Sequence, residues 1–171
     1  MPGQNMDELG SEKLRELVHS LLWQLRLTDA FWFINTEKRF GLSAAEELNT
    51  EVWAKVGRLA ARDIRKRFEI NETGLDGFLK AFRLFCWTMM VDYSLERISD
   101  RQMILSVPSC PAQEGRKRHG LGEYSCKKMH YREFSGFAQE IDPRIKVECI
   151  FAPPDPHPEY MYCKWQFYLN D

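Results

Sequence analysis

The chain has 171 residues, 44% apolar and 13% aromatic, and its 24 Lys and Arg against 25 Asp and Glu leave a net charge of −1. That length suits one compact domain burying roughly 70% of its unfolded surface, and near-neutrality argues against the basic surface that nucleic acid or an anionic membrane demands. Five cysteines is an odd number, no apolar run approaches the roughly 20 residues that cross a bilayer, and residues 1–10 lack a signal peptide's apolar core, so a cytoplasmic protein with reduced thiols is expected.

After a flexible leader, 1–10, one domain is expected over 11–171, helical over 11–90 and ββαββ over 91–171. Ser11 is a candidate N-cap, and Leu14, Leu17, Val18, Leu21, Leu22, Leu25, Phe31 and Trp32 then recur at helical spacing until Gly41. The second half of this first helix is aromatic nearly all round, which suits burial on more than one side. Trp32, Asn35 and Arg39 share one stripe. Ser43-Ala44-Ala45-Glu46 has the form of a capping box opening a second helix, whose apolar face runs through Leu48, Val52, Val56, Leu59, Asp63 and Ile64. Asp76 can cap a third, with Phe78, Leu79, Phe82, Phe85, Cys86 and Met89 facing inward.

The period then changes. Val91, Tyr93 and Leu95 alternate, as do Met103, Leu105 and Val107, and Ser99-Asp100-Arg101 supplies the turn of a hairpin. A polar, basic loop from Cys110 to Gly122 follows, then Cys126 and a short helix carrying Met129, Phe134, Phe137, Ala138 and Ile141, ended by Asp142-Pro143. Ile145, Val147, Cys149 and Phe151 share one face of a strand. After a proline-rich loop, Met161, Cys163, Trp165, Phe167 and Leu169 share one face of another. The fold class is α+β: three helices packed with a ββαββ antiparallel four-stranded sheet.

If the last two strands pair about Pro156, Cys149 and Cys163 stand opposite each other, close enough for two thiolates to share an ion. Cys110 and Cys126 can converge on them, so Cys110, Cys126, Cys149 and Cys163 are candidate zinc ligands, with His130 as a substitute one helical turn after Cys126. The opposing reading is that these thiols are small core hydrophobes, as Cys86 is expected to be. Asp29, Asn35, Glu37, Arg39, Arg62 and Asp63 are polar groups embedded in apolar helices; either some of them line a cavity, or Asp29 and Arg62 form an interhelical ion pair with Glu37 and Arg39 on solvated flanks. Trp32, Trp53, Trp87, Tyr93 and Trp165 can wall an apolar pocket between helices and sheet, or fill the core instead. The first helix, apolar on too many sides and about 45 Å long, points to a homodimer.

The strings Phe31-Trp32-Phe33, Glu37-Lys38-Arg39-Phe40-Gly41, Ile141-Asp142-Pro143-Arg144-Ile145 and Pro153-Pro154-Asp155-Pro156-His157-Pro158 with Cys163-Lys164-Trp165-Gln166-Phe167 resemble an uncharacterised family of prokaryotic cytosolic proteins, over nearly the whole chain. Cys110-Pro111, Cys126 and the closing Cys163-x-Trp-x-Phe are more distantly similar to the L-2-amino-thiazoline-4-carboxylic acid hydrolase family and to 4-vinyl-reductase-type small-molecule-binding domains. Where the nearer family often has a cysteine before Pro-Pro-Asp-Pro, this chain has Ala152. The resemblance implies a fold and a ligand-binding habit; with the aromatic residues above it points to a cytosolic small-molecule-binding or sensory protein, with Trp32, Asn35, Arg39, Trp87, Tyr93 and Trp165 as candidate ligand contacts. It leaves as alternatives a hydrolase of a small cyclic amide or thiazoline, with Cys126, Glu37 or His130 as the working group, and a structural subunit.

Overall fold

The computed structural model describes Met6 and residues 8–170, so most of the leader lies outside the described residues. Helices α1 (Ser11–Phe40), α2 (Leu42–Arg67) and α3 (Gly74–Phe82) lead through a 3₁₀ turn (Cys86–Met89) into the hairpin β1 (Ser94–Ser99) and β2 (Gln102–Val107). Helices α4 (Pro111–Arg118) and α5 (Lys127–Ile141) follow, then β3 (Ile145–Phe151) and β4 (Cys163–Leu169). The four strands form one antiparallel sheet in the order β1-β2-β4-β3. The fold is α+β, as expected.

The core is aromatic. Phe78, Phe82, Phe85, Phe134, Phe137, Trp165 and Phe167 are fully buried where α3 and α5 lie on the sheet, and Phe82 alone meets six other rings. At the foot of α5, buried Asp142 accepts hydrogen bonds from the Gly74 and Arg144 backbone N–H groups and from the Arg144 guanidinium. The Arg144 side chain, more than any other partner, holds its carboxyl down at about 2.

The two long helices differ from expectation in which face they bury. On α2 the residues turned inward are Ala45, Thr50, Trp53, Gly57, Ala61 and Ile64, while Leu48, Val52 and Leu59 are exposed. The reason is backbone proximity: a Cβ at Gly57 would sit 2.5 Å from the Glu133 carbonyl oxygen on α5, and one at Gly136 would sit 3.3 Å from Ala54 O. Close approach selects small residues over large ones, against the hydrophobic count. The capping box does not form. Gly41 occupies the N-cap position, and Glu46 instead accepts the Ser125 backbone N–H at 2.6 Å. On α1 no residue is buried.

A helix, α4, stands where a loop was expected. Pro111 occupies its first turn, where a missing N–H removes nothing, and Arg116, Lys117 and Arg118 lie in the last turn, where the helix dipole favours them. Fully buried Gln113 fastens it to the following segment, donating to Tyr124 O at 2.9 Å and accepting from Tyr124 N at 3.1 Å.

The last two strands pair two residues out of the expected register. Cys149 stands opposite Trp165, and Cys163 lies opposite Val107 on β2. From Ile145 to Cys149 the two-residue offset keeps side chains on their expected faces, and beyond it a bulge sets Phe151 opposite Lys164. The asymmetric Pro-rich loop sets it, tied down by Lys127 to Asp155 at 2.8 Å and by His157 to Glu123 at 3.1 Å.

Candidate functional site

The inner surfaces of α1, α2 and α5 do not close completely against the segment after the 3₁₀ turn and the start of α4. They leave a cavity of about 90 Å³ lined by Leu25, Arg26, Asp29, Asn49, Trp53, Trp87, Met90, Val91, Cys110, Pro111, Ala112, Tyr124, Met129, His130 and Glu133. A wider cleft of about 470 Å³ between α1 and α4 shares Arg26, Asp29, Asn49, Pro111, Ala112 and Tyr124 with it. Arg116 secures α4 here, gripping Glu37 with two guanidinium N–H groups, donating to Gly122 O at 2.8 Å and lying over the Phe33 and Tyr124 rings.

Ionisable groups gather in this apolar enclosure. His130 Nδ1 and Glu133 Oε2 are 2.7 Å apart on successive turns of α5, both buried. Across the cavity Trp53 Nε1 donates to Asp29 Oδ1 at 3.0 Å. Glu133 is fully buried, and its other oxygen, Oε1, has no hydrogen-bond partner in the protein. Burial raises the Glu133 carboxyl, against the lowering influence of His130. Asp29 is raised for the same reason, less the help of the Trp53 N–H and of His130. The imidazole is held rigidly: its ring stacks on Phe134 with centroids 5.1 Å apart and meets Trp87 edge-on at 5.8 Å. Perturbed acids in a cleft, beside an oriented histidine, are the usual physical marks of a functional site.

Both carboxyls keep their protons to higher pH in the folded protein than in the unfolded chain. The folded state therefore binds more protons just above the ordinary carboxyl range, and stability falls as pH rises through that interval. Glu133→Gln is expected to flatten this fall, with Asp29 supplying the remainder. Thermal unfolding followed from about pH 4 to pH 8 in both proteins checks it. Parallel curves would show that Glu133 does not titrate there.

Of the residues singled out in the sequence, the structure brings Asp29, Trp53, Trp87, Cys110 and His130 into this cavity. Tyr93 lies behind Trp87, ring centroids 6.1 Å apart, and Trp165, outside the lining, meets His130 edge-on at 6.4 Å and Phe134 at 5.4 Å. Trp32, Asn35 and Arg39 line a groove on the outer side of α1, with Trp32 73% exposed. The cavity therefore lies among the helices, where the sequence pointed to the space between helices and sheet. Arg62 pairs with Glu140 rather than with Asp29, and Glu37 with Arg116, whose N–H groups lower its carboxyl.

The cysteines do not form the expected coordination sphere. Among the described residues no group of three or more His, Cys, Asp and Glu side chains is placed to hold a metal ion, and all five thiols are free. The register offset separates Cys149 from Cys163. Burial pushes the Cys86 and Cys149 thiols up to about 11 and Cys163 to about 12. Cys126 is raised too, by burial first and then by neighbouring Cys110 and Cys163. Its sulfur accepts from Gln113 Nε2 at 3.5 Å, while the His130 ring is engaged with Glu133. Glu133 and Met129 escaped sequence reading as site residues; the spacing of Glu133 three residues after His130, on one helical face, was the available signal.

Residues 7–169 match the model of a family described as a family of unknown function (DUF6125). No curated protein matches the sequence. Among solved structures, the chain is similar to a trafficking protein particle complex subunit 3 from Naegleria fowleri covalently bound to palmitic acid, at 10% identity and a TM-score of 0.55, over 90% of this chain and 97% of that one. It is also similar to the phenol-responsive sensory domain of the transcription activator PoxR with phenol, at 11% identity and a TM-score of 0.53, over 82% of this chain and 72% of that one. At such identities the likeness is one of fold. Among the described residues no helix is long and apolar enough to cross a membrane.

Proposed function

The chain belongs to DUF6125, a family of unknown function, and we propose that this member is a small-molecule-binding protein of sensory type whose ligand sits in the cavity between α1, α2 and α5. The observation that carries the reading is fully buried Glu133 on the cavity wall, with one oxygen lacking a protein partner. An unpaired buried carboxyl oxygen is destabilising by roughly 1–3 kcal/mol or more, and a ligand's hydroxyl or amine would relieve that deficit. Trp53, Trp87, Tyr124 and Met129 supply an apolar wall. The volume of about 90 Å³ exceeds the roughly 15 Å³ a water requires and falls short of the roughly 150 Å³ engineered cavity that takes up benzene. A single ring or short chain would seat its donor at Glu133 and extend toward the α1–α4 cleft. Two proteins of the same fold hold phenol and palmitic acid, which agrees with an interior that admits small apolar molecules.

Phenol, benzyl alcohol and benzylamine, with benzoate as control, are the probes. Thermal unfolding and tryptophan fluorescence are expected to show saturable stabilisation by at least one of the three donors and none by benzoate. Glu133→Gln is expected to weaken binding by up to about tenfold, the worth of an ordinary hydrogen bond. Met129→Trp, which fills the space, is expected to abolish it. No response to any donor up to solubility would overturn the reading.

The hydrolase alternative rests on the sequence resemblance, and no observation here favours it: the Cys126 thiol contacts Gln113 and not an acid–base group. No turnover of a thiazoline substrate by the wild type would remove it, and turnover unchanged in both Cys126→Ala and Glu37→Gln would remove these working groups.

A further inference from the structure

We propose that the exposed flank of α1 running from Leu14 to Arg39 is the docking surface for a second copy of this chain, the two helices packing antiparallel as a short coiled coil. The inference is independent of the ligand reading. It begins with the exposure of α1: none of its 30 residues is buried, yet Val18, Leu21, Leu25 and Trp32 are 47, 50, 41 and 73% exposed. An apolar stripe of that length on one helix is unusual for a surface that meets only water.

The period of the stripe identifies what covers it. Positions 14, 18, 21, 25, 28, 32, 35 and 39 are spaced 4-3-4-3-4-3-4, the alternation that keeps a helix seam facing another helix. Polar seam residues are already satisfied within their own helix. Thr28 Oγ1 donates to Gln24 O at 2.9 Å and Asn35 Nδ2 to Phe31 O at 2.8 Å, so each turns its polar atoms back on its own helix and leaves its carbon surface for a neighbour. A standard stable interface takes roughly 20–30 residues and about 800 Å² per partner, and the stripe runs along a helix of 30 residues none of which is buried.

Orientation follows from the same positions. About a centre between Arg26 and Leu27, antiparallel pairing sets Trp32 against Leu21 of the other copy, Asn35 against Val18, Thr28 against Leu25 and Arg39 against Leu14. Every layer then joins an a position to a d position, as antiparallel coiled coils do. Charge agrees. The antiparallel arrangement opposes the two helix dipoles and keeps the Arg39 side chains at opposite ends of the pair. A parallel arrangement would place Arg39 beside Arg39. Leu25 belongs to the seam and also to the cavity wall, which puts the cavity and the interface on one helix.

Sedimentation velocity at about 10 µM is expected to give a species of twice the 20.2 kDa chain mass. Leu21→Glu and Trp32→Glu are each expected to give monomers with unchanged far-ultraviolet circular dichroism, because both side chains are exposed in the single chain. Mixing Leu21→Cys with Trp32→Cys under mild oxidation is expected to yield a 21–32 cross-link, identified by peptide mass. A monomeric wild type overturns the proposal. So does a dimer that survives both glutamate substitutions, which would place the interface elsewhere. Cross-links solely of the 21–21 and 32–32 kind would show a parallel pair and overturn the antiparallel arrangement. A wild-type monomer that co-floats with anionic vesicles would assign the stripe to a membrane surface instead.

Discussion

Gly57→Ala is expected to destabilise the protein by about 2 kcal/mol or more, although alanine is the better helix former by roughly 1 kcal/mol. Sterics decide the sign. The added Cβ would lie 2.5 Å from the Glu133 carbonyl oxygen and 3.2 Å from both its carbonyl carbon and its Cγ. The nearest atom is backbone within a packed helix and cannot swing aside, so α2 and α5 must separate. The shift moves Trp53, which holds Asp29, away from Glu133 and His130, so the loss of stability comes with a disturbed cavity. The melting temperature is expected to fall by about 4–8 °C for a chain of this size. Gly115→Ala is the control, since nothing lies within 4 Å of its Cβ, and it is expected to be neutral or slightly stabilising. If Gly57→Ala melts with the wild type, the α2–α5 packing described above is wrong.

Phe134→Ala is expected to be the most damaging truncation, at about 3–5 kcal/mol and about 10 °C in melting temperature. The ring is fully buried, with centroids of Trp87 at 5.2 Å, Trp165 at 5.4 Å, Phe82 at 5.7 Å and Phe167 at 5.9 Å, besides the stacked His130. Sheet, α3 and α5 meet at this one side chain, so its neighbours can collapse into the space only by breaking their own contacts. The residual void would adjoin the ligand cavity and be lined by aromatic carbon. Benzene is therefore expected to restore part of the lost melting temperature in Phe134→Ala while leaving the wild type unmoved. A loss below about 1 kcal/mol, or equal benzene effects on both proteins, would show that Phe134 does not separate cavity from core.

The sequence by itself determined the elements whose periodicity is simple. The alternation through Met103, Leu105 and Val107 and through Cys163, Trp165 and Phe167 marks strands with one buried face, and Asp142-Pro143 stops α5 by backbone chemistry alone. The apolar excess of α1 was also legible, because a stripe with nothing to cover it is a property of one helix. Tertiary structure decided the rest, since each remaining feature depends on a distance between segments far apart in the chain. The inward face of α2 follows from how closely α5 approaches, so Gly57 and Ala61 displaced Leu48 and Leu59 from the core. The register of β3 on β4 follows from how the Pro-rich loop is tied to Glu123 and Lys127, and two residues of offset parted Cys149 from Cys163. Asp29, Trp53, His130 and Glu133 come from three helices, and no local pattern records that burial would leave one Glu133 oxygen without a partner.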